Sequence, residues 1–327
     1  MATSTGLVFA AMTGPFTRPF RFSVQCSSPP SIDGPGWAAL ARKVEDLGYS
    51  TLTVADHLDN QLAPVPALAA AAAATTTLRV GAMVFCNDYK HPVVLAKEAA
   101  TIDVLSGGRL ELGLGAGWQS SDYETAGIPF DRAGVRIERL AEAVALMKGL
   151  FADGPVTHVG DHYRVTDLDA QPKPVQRPHP PILIGGGGRK VLTLAGQVAD
   201  IVGINVPLPK GVIDSSVGPD ATVESTDDKI AWVRDAAGDR WDDLELHVRI
   251  HLAAITDDVQ SIADVMGPAL GLTPAQAVAS PHALAGSVDE VCDLLQYRRD
   301  RWGLSAIGLS LDALDSFAPV VARLAGT

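Results

Sequence analysis

From residue 20 onward the chain alternates short apolar runs with longer amphipathic ones. "FRFSVQC" (20–26) has the composition of a strand, and the segment after it changes period. There Trp37, Leu40, Ala41, Val44 and Leu47 fall at i, i+3, i+4, i+7 and i+10, a helical stripe that Gly48 can end. The alternation then repeats. "STLTVA" (50–55) predicts a second strand and the alanine-rich 64–76 a second helix. "LRVGAMVF" (78–85) and 92–105 form the third pair, and "SGG" stops that helix. "RLELGLG" (109–115) is the fourth strand, followed by a helix over 132–150 with Ile137, Leu140, Ala141, Val144 and Met147 on one face.

Residues 151–180 interrupt the rhythm with a small hairpin around Gly160-Asp161 and a proline-rich run. "ILIG" then opens strand five, followed by a helix from Arg189, and "DIVGIN" is strand six. Residues 205–225 have no clear period and predict a long loop, a feature that is often functional. A helix over "DDKIAWVRDAAGD", strand seven over "LELHVRIHLAAI" (244–255) and further helix over 258–279 follow. Ser287 and Glu290 have capping-box spacing at the start of helix seven, and "SAIGLSL" and "FAPVVARLAG" close the series. Eight strand–helix units predict an α/β fold of the closed (β/α)8 TIM-barrel type. The competing doubly wound sheet needs a glycine fingerprint after strand one, where this chain has "SSPPSIDGPG". The expected organisation is a flexible N-terminal extension, 1–19, and one barrel domain, 20–327, with an insertion at about 151–180 and a variable loop at about 205–225.

Composition narrows the function. Apolar residues make up 47% of the 327 positions and no apolar run reaches 18, so no membrane span is expected. A formal charge of −12 argues against nucleic acid as a partner, because phosphate contacts need a basic face. Cys26, Cys86 and Cys292 are odd in number and widely spaced, which suits reduced thiols in the cytoplasm and no zinc site. The first residues lack a basic segment ahead of "LVFAAM", so no signal peptide is read, and Met12 is an alternative start.

In a barrel of this type the chemistry sits at the C-terminal strand ends, where four unusual stretches fall. "VADHL" places Asp56 and His57 after strand two, and "AMVFCND" follows strand three. "GLGAGWQSSDY" follows strand four, and "IGGGGRK" leads from strand five into a helix. Gly185 to Gly188 would let backbone N–H groups approach a phosphate at a helix N-terminus, with Arg189 beside it; a tight turn without ligand is the alternative. His247 and His251 share a face of strand seven and read as polar barrel or rim residues, since no third metal ligand is evident. Cys26 and Cys86 read as pocket wall, and no metal site is expected.

The stretches "VADHL", "HPVVLAKEAATIDVLSGGRLELGLGAGW", "AGIPFDRAGVRIERL", "PPILIGGGGRKVLTLAGQVADIV" and "FAPVVARLAG" together resemble the luciferase-like flavin and deazaflavin oxidoreductases, most nearly their actinobacterial coenzyme F420-dependent branch. The resemblance runs in order from about residue 20 to 325. It implies a luciferase-like TIM barrel, often a homodimer, with the cofactor at the strand C-termini and its phosphate at Gly185, Gly186, Gly187, Gly188 and Arg189. It implies a non-prolyl cis peptide at Met83-Val84 behind the ring, and a cofactor-lining loop at Gly115, Ala116 and Gly117. By this carry-over His57 handles a proton beside the ring, and Asp56 orients His57 or bonds to the ring edge. Ser121 is a weaker match, because relatives show Asn and Glu after "GAGW". The expected cofactor is F420, with FMN as the alternative. The expected function is hydride transfer between F420 and a small organic molecule; the rivals are an FMNH2-dependent monooxygenase and a flavin-binding protein without turnover. A polyanionic cofactor on a −12 chain calls for local cations, for which Arg189 and Lys190, with Lys43 or Lys90, are candidates.

Overall fold

The computed structural model describes residues 18–27, 32–208, 210–212 and 214–327. The expected extension, 1–19, and the alternative start at Met12 lie, apart from residues 18 and 19, outside the described residues. Eight parallel strands form a closed ring: β1 (Arg21–Cys26), β2 (Thr51–Val54), β3 (Arg79–Ala82), β4 (Leu110–Gly115), β5 (Ile182–Gly186), β6 (Ile201–Ile204), β7 (Glu245–Arg249) and β8 (Leu304–Ser310). Val24 of β1 sits opposite Leu309 of β8, and Val80 of β3 opposite Leu110 of β4. Every strand of the ring has two neighbours, so the barrel presents no open edge. Helices cover it from outside: α1 (Gly34–Asp46), α2 (Pro64–Ala74), α3 (Pro92–Ser106), α4 (Ala133–Phe151), α5 (Arg189–Val198), α6 (Val223–Ala237), α7 (Val288–Trp302) and α8 (Ala318–Leu324). This is the TIM barrel that counting the units predicts.

Local chemistry sets the element ends. Asp33 accepts a hydrogen bond from Gly36 N at 2.8 Å to start α1, which buries Trp37, Ala41 and Val44 against the strands. Ser287 and Glu290 form the predicted capping box of α7. Gly107 and Gly303 stop α3 and α7 in the left-handed region, which a glycine enters without a Cβ penalty. Toward the N-terminal strand ends, Glu111 of β4 accepts from Arg79 Nε at 2.7 Å and pairs with Arg21, which also donates to Glu245 at 2.8 Å. Burial works against the Glu111 carboxylate, but the two guanidiniums outweigh it and hold its pKa below the usual range.

Three elements differ from the sequence reading. The third apolar run breaks at a cis Met83-Val84 peptide into β3 and a two-residue strand, Phe85–Cys86, which pairs on to β4. The run read as strand seven is two strands. β7 ends at Arg249, and Leu252–Ile255 then pairs in parallel with Ala283–Gly286, outside the barrel. The ladder changes partner between Ile250 N, bonded to Gly308 O, and His251 N, bonded to His282 O. A pattern of apolar residues cannot register that switch, because both halves are β-patterned. The 205–225 stretch is not wholly loop either, since Ser215–Ala221 forms a 3-10 helix. The hairpin around Gly160-Asp161 is present, as Val156–Val159 paired with Arg164–Leu168.

Candidate active site

A cavity of about 630 Å³ opens at the C-terminal ends of the strands. Asp56, His57, Met83, Val84, Gly115, Ala116, Gly117 and Gly185 to Gly188 all line it. Two of the sequence-predicted residues do not. Ser121 and Arg189 are exposed and lie outside the lining; Arg189 stacks over Trp232, 6.0 Å from its ring centre.

His57 is held by a residue the sequence reading did not single out. Its Nδ1 donates to Asp122 Oδ2 at 2.7 Å. Asp122 is 3% exposed and also accepts from Tyr89 OH at 3.1 Å and Gln119 Nε2 at 3.0 Å. Such convergence of donors is the environment of a carboxylate acting purely as acceptor. It fixes the imidazole tautomer and leaves Nε2 with no protein partner among the described residues, on a ring that lines the cavity. Trp118 meets the imidazole edge-on with ring centres 5.3 Å apart.

Asp56 does something other than orient His57. Its Oδ2 accepts from Cys86 N at 3.0 Å, tying the β2 end to the short strand that follows the cis peptide. Burial raises the Asp56 pKa, only partly offset by that hydrogen bond and by Lys90. Cys86 sits in the wall with its Sγ 3.3 Å from Tyr123 OH, and burial pushes its thiol up to about 11. It is therefore a thiol at neutral pH, as is Cys26, also raised to about 11 by burial.

The cavity floor is built for close approach. Gln25 Nε2 donates to Met83 O at 3.2 Å, steadying the cis Met83-Val84 peptide. Gly117 has φ +76° and packs so tightly on Tyr123 that an added Cβ would meet the hydroxyl at 1.8 Å. The glycine quartet divides into two roles. At Gly187 a Cβ would strike the 206–207 backbone at 2.2–2.3 Å, so this glycine serves packing. At Gly188 nothing lies within 4 Å, and at Gly185 nothing lies nearer than 3.8 Å. Gly188 is the N-cap of α5 and no side chain caps that helix, so its first N–H groups remain available to an anion.

Of the other candidate cations, Lys90 pairs with Glu98 at 2.7 Å. Lys43 pairs with Asp315 at 2.7 Å and lies in the last turn of α1, which feeds the N-terminal end of β2, away from the site. The opposite wall carries Arg249 and His251 at the end of β7 and the buried His247 below them. His247 is held neutral, with its pKa pushed down to about 3 by burial and then by Arg249. Among the described residues no helix is long and apolar enough to cross a membrane, and no group of three or more His, Cys, Asp or Glu could hold a metal. Asp122 and Arg249 were discoverable only as polar residues in or next to rim stretches; their partners are far away in sequence.

Comparison with known proteins gives the family and the fold. The chain is similar to an FMNH2-dependent dimethylsulfone monooxygenase of Pseudomonas putida, 35% identical over 43% of this chain and 39% of that one, so the match takes in less than half of the relative. It is similar at greater length to an F420-dependent glucose-6-phosphate dehydrogenase of Nakamurella multipartita, 30% identical over 88% of this chain and 84% of the relative. In fold it matches the coenzyme F420-dependent tetrahydromethanopterin reductase of Methanopyrus kandleri, with TM-score 0.73, 18% identity and coverage of 94% of this chain and 99% of that one. Residues 20–214 match the luciferase-like monooxygenase family, and the chain belongs to that family.

Proposed function

We propose that the protein is an F420-dependent oxidoreductase that moves a hydride between the deazaflavin ring and a small organic substrate. The observation that carries this reading is the His57–Asp122 pair at the wall of a cavity floored by the cis Met83-Val84 peptide. The residues present fit such a cofactor. Gly115 lets Val84 pack against it, Gly185 leaves room beside them for a flat ring, and the uncapped start of α5 at Gly188 suits its phosphate. The relative matched over most of both chains is itself F420-dependent.

When bound, the deazaflavin supplies a two-electron hydride acceptor or donor. His57 Nε2 takes the proton released from a substrate hydroxyl as hydride leaves the adjacent carbon, or returns it in the reverse direction. Asp122 holds Nδ1–H throughout, so the imidazole presents one tautomer, with Nε2 as the free acceptor. Asp56 keeps the segment after the cis peptide in register through Cys86 N. Tyr89 and Gln119 keep Asp122 in place.

An FMNH2-dependent monooxygenase is the second reading, favoured by the family's name and by the Pseudomonas relative. Paired fluorescence titrations of the purified apo-protein separate the two. Tight binding of F420 with weak binding of FMN is expected. Tight FMN with weak F420 would replace the hydride reading with the oxygen-using one.

A further inference from the structure

Arg249 lines the same cavity as His57, at the end of β7. Its guanidinium donates to Gly308 O at 3.2 Å and Ser310 Oγ at 2.6 Å. Both acceptors are neutral, and among the described residues Arg249 makes no ion pair. None of the remaining residues of the chain is Asp or Glu, and Asp312, which acts on Arg249 through space, makes no ion-pair contact with it. A guanidinium carries five donors, so most of its capacity is unused.

Its neighbourhood repeats the pattern. Lys229 and Arg298 are 0% and 2% exposed and bond only to backbone carbonyls, Lys229 Nζ to Asp220 O at 2.5 Å and Arg298 to Ser280 O at 2.7 Å and Pro281 O at 3.2 Å. His282 Nδ1 donates to the Arg249 carbonyl at 2.8 Å, while its buried Nε2 has no partner among the described residues. Burial pushes Lys229 down to about 8 and Arg249 and Arg298 to about 10; Asp220 and Asp312 oppose this through space but make no ion-pair contact with them. Asn205 adds a neutral donor at the cavity wall. Its Oδ1 accepts from Val206 N at 2.8 Å and from His251 Nε2 at 2.8 Å, which fixes the amide orientation and leaves its NH2 without a partner among the described residues. Of these cations Arg249 lines the cavity, while Lys229 and Arg298 lie outside its lining. Unpaired buried charge is costly, and a concave wall focuses its field on whatever enters.

We infer that this wall binds the oxyanion head group of the substrate, a carboxylate or related oxyacid, through Arg249 and the Asn205 amide. The inference rests on the reading of His57 as the proton-handling group and adds the substrate class to it. β7 and β2 are three strands apart around the ring, roughly 14 Å along the wall at ordinary strand spacing. The head group and the reacting carbon therefore lie several bonds apart. The start of α5, at the end of β5, is a separate anion site and serves the cofactor phosphate.

The test uses apo-protein and two probes of one shape, hexanoate and hexanamide, in calorimetric titrations. Wild type is expected to bind hexanoate at least about tenfold tighter than hexanamide, on the scale of one charge-assisted hydrogen-bonded contact. Arg249→Met is expected to erase that preference and Arg249→Lys to keep part of it, with F420 and FMN affinities unchanged. Asn205→Ala, which keeps the charge, should reduce the preference about threefold and carries the test should Arg249→Met fail to fold. Equal binding of the two probes by wild type overturns the inference. So does an Arg249→Met variant that weakens F420 or FMN but not their phosphate-free forms, because the wall then belongs to the cofactor phosphate. Because no cofactor is present in the probe titrations, their failure is separate from a failure of the F420 reading, which the cofactor titrations report.

Discussion

The two sides of the cavity hold their polar groups differently. On the β2–β4 side Asp56, Asp122 and Asp88 surround His57, Tyr89 and Tyr123, and almost every polar atom has a partner: Asp122 takes His57, and Asp88 takes Tyr123 OH at 3.0 Å and Arg139 at 2.8 Å. On the β7 side Arg249, Lys229 and Arg298 have only neutral acceptors. A satisfied network holds a side chain in one geometry, which a proton-transfer group needs. An unsatisfied one stores binding capacity for a ligand of opposite charge, at a cost to the unliganded fold. The first side is organised for chemistry and the second for recognition.

The largest effect that could break this division is at His57. His57→Ala should lower turnover by about 100-fold or more while F420 affinity holds, the usual range for lost acid–base help. Steady-state kinetics with unchanged kcat would take the chemistry off that side. Asp122→Asn comes next, with a fall in kcat of about 10–100-fold. An amide can donate to Nδ1 as well as accept from it, so it no longer fixes one imidazole tautomer, and the loss should fall on kcat with KM held. A lower melting temperature with unchanged kcat would make Asp122 a purely structural residue.

Stability against pH sharpens the comparison, because the two sides carry opposite signs. Burial depresses His247 and His282 to about 3 in the folded protein, against about 6.5 unfolded. Their contribution is complete above about pH 6.5 and is lost as pH falls toward the folded values, at about 1.4 kcal/mol per pH unit for each histidine. The Asp56 pKa is raised by burial, so its ionised form opposes folding at neutral pH and the penalty is relieved on acidification. In urea unfolding, His282→Gln should shrink the stability lost between pH 7 and 5.5. Asp56→Asn should raise stability at pH 7, with the gain vanishing near pH 4. The reverse signs would mean that these groups are compensated in the folded state. The smallest effect is expected at Arg189, which is exposed and stacked on Trp232. Arg189→Ala should weaken phosphate-bearing cofactor by no more than about threefold, the range of an exposed ion pair, and leave the dephosphorylated form unaffected. Equal losses for both forms would remove Arg189 from the phosphate's surroundings.

The fold was legible because each strand–helix unit is a local statement. Trp37, Ala41 and Val44 announce α1 within eight residues, and the Ser287–Glu290 spacing announces α7 within four. The rim stretches were legible for the same reason: "VADHL" and "IGGGGRK" each follow a strand, and strand ends share one face of a barrel. The partner of His57 was not legible. Asp56 stands next to it in the chain, yet the carboxylate that binds it is 65 residues away in the segment after β4. Strand seven was read too long because the exchange of Gly308 for His282 as ladder partner leaves no trace in the alternation of side chains.

Sequence by itself determined the number of units, their order and the strand ends at which polar and glycine-rich loops gather, since helical and strand periods are properties of neighbouring residues. Only the tertiary structure decided which acid meets His57, and that Arg249, Lys229 and Arg298 bond to neutral acceptors alone. Net charge is a sum over the whole chain and is blind to position. Closing the barrel decides which charges meet, because it fixes which strand ends face each other across the cavity.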